Sequence, residues 1–236
     1  GESTQGCGAV AFTVSADPRL LAVDPEAGFY ADDVMDFWRP NYLSEALVDG
    51  KYSTLVYIKA LLESWKQYAA ESGRSLDDFA RFCYHIPFTR MAEKAHQKLA
   101  KGTSDEELRR VIGESLIYSR QAGNCYSASL YVGLASLLDN AAEDLSGKRI
   151  GLYSYGSGCV GEFFSGVVQE NYRAALFAKQ HRTLLAGRTE LTFQQYEDIY
   201  NYGIPVDGGE HTFPQYRTGP FRFAGMQGHK RIYEPA

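Results

Sequence analysis

The 236-residue sequence lacks several things, and each absence narrows the possibilities. No two of its four cysteines form a C-x-x-C pair. Cys7, Cys83, Cys125 and Cys159 are widely spaced, which argues against a zinc site or a disulfide framework and for a reduced, cytoplasmic compartment. Each thiol reads first as a small buried hydrophobe. No apolar run approaches the roughly 20 residues that cross a bilayer, so no membrane is expected. No basic tract stands out and the net charge is −5, so no nucleic acid is expected either. The first residues have neither a basic nor an apolar segment of the kind a signal peptide carries. Repeats, low-complexity tracts and linkers long enough to divide the chain are also missing.

What is present is ordinary globular composition, 44% hydrophobic and 22% charged, with 17 Tyr and 13 Phe. Strand-like and helix-like stretches interleave, so the class is α/β with a mixed sheet. Gly8 to Val14 reads as a buried strand that needs neighbours on both sides. It begins so early that the chain reads as the second part of a longer protein. Asp17 to Asp32, with two prolines and a glycine, reads as turns and extended loop. Beyond Ser53, Leu55, Ile58, Leu61, Leu62, Trp65 and Tyr68 recur at helical spacing, and Gly73 stops that helix. Ser104 to Glu107 has the form of a capping box opening a helix to about Ser119. A helix of small residues runs to about Leu138. Ile150 to Tyr155 and Phe163 to Val168 form a hairpin. Helical stretches follow from Ala174 and from Thr192, then a loop over 203–219 and an edge strand from Phe221.

Three tips of these elements carry polar groups. His85 follows the aromatic strand Phe79–Tyr84 and precedes Pro87 and a helix that Thr89 is placed to cap. In open α/β sheets that edge binds ligands, and histidine exchanges protons near neutral pH. Arg90 and Lys94 share a helix face, suited to a phosphate-bearing ligand. Asn124 stands just before a helix, where its amide can donate to a carbonyl oxygen. Gly156-Ser157-Gly158 lies at a strand turn, where backbone N–H groups can approach a ligand and form an oxyanion hole. Taken singly, these read more simply as a packed histidine with solvated cations, an N-cap asparagine and a tight hairpin turn.

Together they form a pattern. His85-Ile86-Pro87-Phe88, then Gly123-Asn124-Cys125-Tyr126-Ser127, then Tyr153-Ser154-Tyr155-Gly156-Ser157-Gly158 resemble, in order and spacing, successive signatures of the hydroxymethylglutaryl-CoA synthase family. Gly1-Glu2-Ser3-Thr4-Gln5-Gly6 followed by Cys7-Gly8-Ala9-Val10-Ala11 is similar to that family's G-E-x-T-Q-G-A-G-A-V-A strand. Asp36-Phe37-Trp38-Arg39-Pro40 is similar to its D-F-[YW]-[KR]-P, and His229 to Tyr233 to its arginine-tyrosine ending. The resemblance covers nearly all of 1–236.

The resemblance implies a thiolase-like layered α-β-α-β-α fold, this chain holding the end of the first half and the whole second half. It implies condensation of an acetyl group, carried on a cysteine, with an acetoacetyl thioester, followed by hydrolysis. It assigns His85, Asn124 and Ser157 to catalysis and Arg90, Lys94, Tyr126 and Gly156 to substrate or CoA binding. Acetyl-CoA and acetoacetyl-CoA are substrates, no further cofactor or metal is implied, and a homodimer is. The family's nucleophilic cysteine and acid/base glutamate lie upstream of the first motif, so an N-terminal half is the expected partner. Two alternatives stand beside this: a polyketide β-branching synthase using an acyl carrier protein, and an inert binding or dimerising half.

Overall fold

Leu21–Ala31 forms β1, in a computed structural model that describes residues 2–205, 207–215 and 219–236. This overturns the loop expected over 17–32. Pro25 and the acids around it mislead because β1 is an edge strand. Pro25 falls where the register slips between Val23 and Ala27, a place where a missing N–H costs no ladder bond. The opposite correction applies to Gly8–Val14, which is not a strand. Its apolar residues have no strand beside them among the described residues, and Phe12 and Val14 lie exposed. Cys7 is exposed too, unlike the other three cysteines, and all four thiols are free.

Two short strands, β2 (Phe37–Trp38) and β3 (Leu47–Val48), pair with each other. Helix α1 then runs Gly50–Ser72, capped by Asp49 and ended by Gly73 in the left-handed conformation. Its buried face is Val56, Tyr57, Ala60, Leu61, Ser64 and Tyr68, while Leu55 and Leu62 point outward. The expected stripe is therefore shifted: Leu61 and Tyr68 lie inward as expected, Tyr57 joins them, and Leu55 and Leu62 do not. Gly28 of β1 fixes this contact, because a Cβ there would lie 1.9 Å from the Ser64 carbonyl oxygen.

β4 (Arg81–Tyr84) pairs in parallel with β5 (Arg149–Gly156), which turns back as β6 (Val160–Val168) onto β1. The order β1-β6-β5-β4 makes the mixed sheet that the sequence implies. Its two faces alternate along each strand. Phe82, Tyr84, Tyr153, Tyr155 and Phe163 face α1 and α2 (Thr89–Leu99), together with α3 (Asp105–Ile112). Cys83, Ile150 and Leu152 face the other way, against Leu130 and Leu137. Phe88, not Thr89, occupies the N-cap position of α2, and no side chain caps it. Ser104 caps α3, but Glu107 gives its carboxylate to Arg110 rather than back to the cap, so the box is half made. α3 stops at Ile112, and a 3-10 turn over Gly113–Leu116 leads to α4 (Ser119–Ala122) and α5 (Ala128–Asn140). α6 (Ala178–Ala186) closes this unit at Gly187.

Although no linker is visible in the sequence, the residues from Arg188 onward form a second compact unit. There α7 (Phe193–Tyr200) starts with a full capping box from Thr192 and Gln195. β7 (His211–Thr212), β8 (Phe221–Gln227) and β9 (Lys230–Pro235) form an antiparallel sheet. The loop expected over 203–219 thus contains β7; its positions 206 and 216–218 lie outside the described residues, as does Gly1 of the first motif. No helix among the described residues is long and apolar enough to cross a membrane.

Candidate active site at the tips of the parallel strands

β4 ends at Tyr84, and His85 is the first residue past the ladder. Its amide N–H donates to the Tyr153 carbonyl of β5 at 2.7 Å. Its carbonyl accepts from the Tyr57 hydroxyl of α1 at 2.8 Å. Burial pushes the imidazole down to about 4, and a hydrogen bond to the Tyr126 backbone pulls less strongly the other way. The ring is therefore neutral at physiological pH. The Tyr155 ring lies 6.4 Å from it, centroid to centroid.

The Tyr126 backbone belongs to the turn that carries Asn124. Gly123 enters this turn at φ 78°, a conformation suited to glycine. Asn124 then pairs with the N-terminal segment: its N–H donates to the Thr4 carbonyl, and its carbonyl accepts from Gly6 N–H, both at 2.9 Å. Its side-chain Oδ1 accepts from Tyr126 N–H at 2.8 Å and from the Ser129 hydroxyl at 2.9 Å. With the oxygen so occupied, the amide N–H groups are left as donors, and no acceptor meets them among the described residues. Asn124 is not an N-cap, since α5 begins at Ala128 after Ser127. Tyr126, itself at φ 53°, accepts from the Gln5 amide at its hydroxyl.

Ser157 sits at the β5–β6 turn beside a carboxylate absent from the candidate residues. Asp36 is fully buried. It accepts from the Tyr155 hydroxyl at 2.7 Å, the Ser53 hydroxyl at 3.0 Å and Gly158 N–H at 3.0 Å. Burial raises its carboxyl, but the hydroxyls of Tyr155, Ser157 and Ser53 and the Gly158 amide outweigh that and hold it below the ordinary range. Gly158 N–H is thus occupied by Asp36 and is not available to an oxyanion. Gly156 ends β5 opposite Val160. An open cleft of about 490 Å³ is lined by Ala31, Asp32, Asp33, Ser157, Gly158, Cys159 and Val160.

His85, the Asn124–Tyr126 turn and Ser157 are therefore joined through the Tyr126 backbone, the Tyr155 ring and Asp36. Arg90 and Lys94 are not part of that chain. Arg90 is exposed, 3.9 Å from Glu93, and Lys94 lies over the Phe88 ring at 5.5 Å. Both stand on the first turns of α2, which begins four residues after His85. Burial raises the thiols of Cys83, Cys125 and Cys159, which makes them poor nucleophiles. No metal-ligating cluster occurs among the described residues. Sequence reasoning missed Tyr57, Tyr155 and Asp36 as parts of the site. The available signal was Asp36 itself, an acid placed immediately before the aromatic pair Phe37-Trp38.

The mixed sheet, with polar groups gathered where its parallel strands end, places this chain among thiolase-like α/β proteins. A family model described as the C-terminal part of hydroxymethylglutaryl-coenzyme A synthase matches residues 23–107 and 96–202, and the chain belongs to that family. A hydroxymethylglutaryl-CoA synthase from Enterococcus faecalis is 40% identical over 210 residues, covering 88% of this chain and 55% of that protein. A solved synthase structure complexed with CoA superimposes with a TM-score of 0.86 at 37% identity, covering 93% of this chain and 58% of the other. The HMG synthase of the curacin biosynthetic pathway, solved in complex with a holo donor acyl carrier protein, gives 0.82 at 29% identity, over 94% and 59%. The chain thus spans little more than half the length of these proteins.

Proposed function

We propose that this chain forms the acceptor and CoA half of a site that condenses an acetyl thioester with an acetoacetyl thioester to give a 3-hydroxy-3-methylglutaryl thioester. The nucleophilic cysteine comes from a portion upstream of these residues. The observation that carries the reading is His85: a neutral imidazole at a strand tip, held against the turn whose asparagine amide is free to donate. In the condensation the acetyl carbon attacks the acceptor ketone and that oxygen gains negative charge. Fixed neutral donors stabilise charge where it develops. His85 positions the acceptor, Asn124 donates to its carbonyl oxygen, and the turn at Gly156 and Ser157 holds the acetyl carbonyl. Arg90, Lys94 and the pantetheine arm's neighbour Tyr126 bind the carrier away from the new bond, where binding energy helps orient the reaction.

A second reading keeps the chemistry and changes the carrier. The curacin synthase, a structural relative, binds an acyl carrier protein. Arg90 and Lys94, exposed on α2 with Lys98, offer cations that suit an acidic carrier protein as well as CoA phosphates. A homodimer in a reducing cytoplasm remains part of the proposal.

The test is His85→Ala in the polypeptide that includes the nucleophile-bearing portion. Condensation is expected to fall about a hundredfold or more, a typical cost of misplacing a reacting group, while acetylation from acetyl-CoA stays near the wild-type rate. Equal loss in both half-reactions would overturn the division of labour.

A further inference from the structure

We propose that Tyr57 is a positioning residue for His85, fixing from α1 the backbone that carries the imidazole. This rests on the condensation reading above. His85 lies past the end of β4 and its backbone is tied at two atoms. The amide bond to Tyr153 merely extends the sheet by one residue. The carbonyl bond from the Tyr57 hydroxyl, 2.8 Å long, comes from a different element. Among the described residues no other donor reaches that carbonyl. The chain beyond it cannot replace the anchor, because Pro87 has no N–H and helix α2 does not begin until Thr89.

Tyr57 is itself immobilised. It is buried, edge-on to Tyr153 at 5.2 Å and against Tyr155 at 4.9 Å. The Tyr153 hydroxyl donates to the Tyr57 carbonyl at 3.2 Å. Burial holds the phenol far above its ordinary ionisation range, so it remains a donor at any working pH. Tyr57 therefore touches Tyr155, whose ring lies beside the imidazole, and Tyr153, whose carbonyl holds the His85 amide, without being placed to touch a substrate. A phenylalanine would keep the ring and leave the His85 carbonyl an unpaired buried acceptor. The loop can recover part of that bonding only by moving, and the imidazole moves with it.

The experiment compares wild type and Tyr57→Phe in the polypeptide that includes the nucleophile-bearing portion. For the variant, kcat/KM for acetoacetyl-CoA is expected to fall about five- to tenfold, the equivalent of about one hydrogen bond. Acetylation of the nucleophile by acetyl-CoA is expected to stay within about twofold of wild type. The His85 imidazole resonance gives a second readout that needs no turnover: its titration midpoint should rise from about 4 as the loosened loop admits water. An unchanged midpoint with unchanged kcat/KM, or a parallel fall in both half-reactions, would reduce Tyr57 to a packing residue. If wild type converts the two thioesters to no product at all, the condensation reading itself fails and this inference falls with it.

Discussion

The two ends of β5 are held in opposite ways. At Arg149, where the strand begins, charges do the fastening. The Arg149 guanidinium grips Asp24 with two bonds of 2.9 and 3.1 Å. Arg74, just past α1, approaches Asp24 at 3.7 Å and donates to Glu26 at 2.9 Å. The Ser165 hydroxyl also donates to Asp24. Next to it on β4, buried Arg81 joins Glu114 at 2.9 Å and also meets Glu143. At Gly156, where β5 ends, one buried carboxylate is surrounded by neutral donors only, and the nearby imidazole is uncharged. The first end uses up its charges on one another. The second keeps one buried carboxylate among neutral donors, with the exposed Lys59–Asp32 ion pair beside the turn and further cations on α2. The donors around Asp36 are spent on that carboxylate, so in the proposed reaction a developing oxyanion would be met by the neutral His85 and the Asn124 amide instead.

Breaking the Asp36 hub should give the largest effect. Asp36→Ala would strand the Tyr155, Ser53 and Gly158 donors in a buried setting, at a cost of about 3 kcal/mol or more. Because the folded carboxyl lies below its usual value, the stability it contributes is present above the unfolded value, about 3.9, and is lost as pH falls through the lowered folded value. Urea midpoints of wild type and variant should therefore differ at pH 7 and draw together in acid. A gap that stays constant with pH would show that Asp36 matters only as a packing volume. Condensation should be lost in parallel, since Tyr155 and Ser157 would both be released.

Asp24→Asn, at the other end of the strand, sharpens the contrast with a smaller effect. It keeps the shape of the side chain and removes the charge facing Arg149 and Arg74. A stability loss of about 1 to 2 kcal/mol is expected, the range for hydrogen bonds to charged groups in a partly exposed setting. The kcat/KM for the acetoacetyl thioester should not move. A fall of the size expected for Tyr57→Phe would mean that the two ends of the sheet are coupled.

Much of this was legible in the sequence, and the failures have physical reasons. The aromatic run Phe79–Tyr84, the strand-like stretch Ile150–Tyr155 and the stop at Gly73 foretold the sheet and α1, because each depends on local composition. The Pro25 strand was hidden, because whether a proline is tolerated depends on lying at a sheet edge, which is a tertiary fact. Leu55 and Leu62 read as inward because they share helical spacing with Leu61 and Tyr68; the structure turns them outward and sets Ser64 against Gly28 of β1, where only a glycine allows the approach. At the site, His85, Asn124 and Ser157 were visible as polar residues at element ends. Asp36 was visible only as the first residue of a motif, and Tyr57 not at all, since their roles come from partners 17 to 122 residues away in sequence.

The smallest effect concerns pH and tests whether the neutral end of the sheet is neutral because it is buried. An unperturbed histidine begins to protonate as pH falls through about 6.5. With His85 depressed to about 4 by burial, the imidazole stays uncharged down to that value. As far as His85 governs it, condensation should be level from about pH 8 to pH 5.5 and decline only in stronger acid. Its imidazole resonance should titrate near 4 in the same range. His96, buried beside Tyr84 and likewise depressed to about 4, supplies an internal control, because it faces the α2 side of β4 and takes no part in the site. A His85 midpoint near 6.5 while that of His96 stays low would mean that water reaches the strand tip freely. The imidazole would then be a titrating cation at neutral pH, and the contrast between the charged and neutral ends of β5 would be lost.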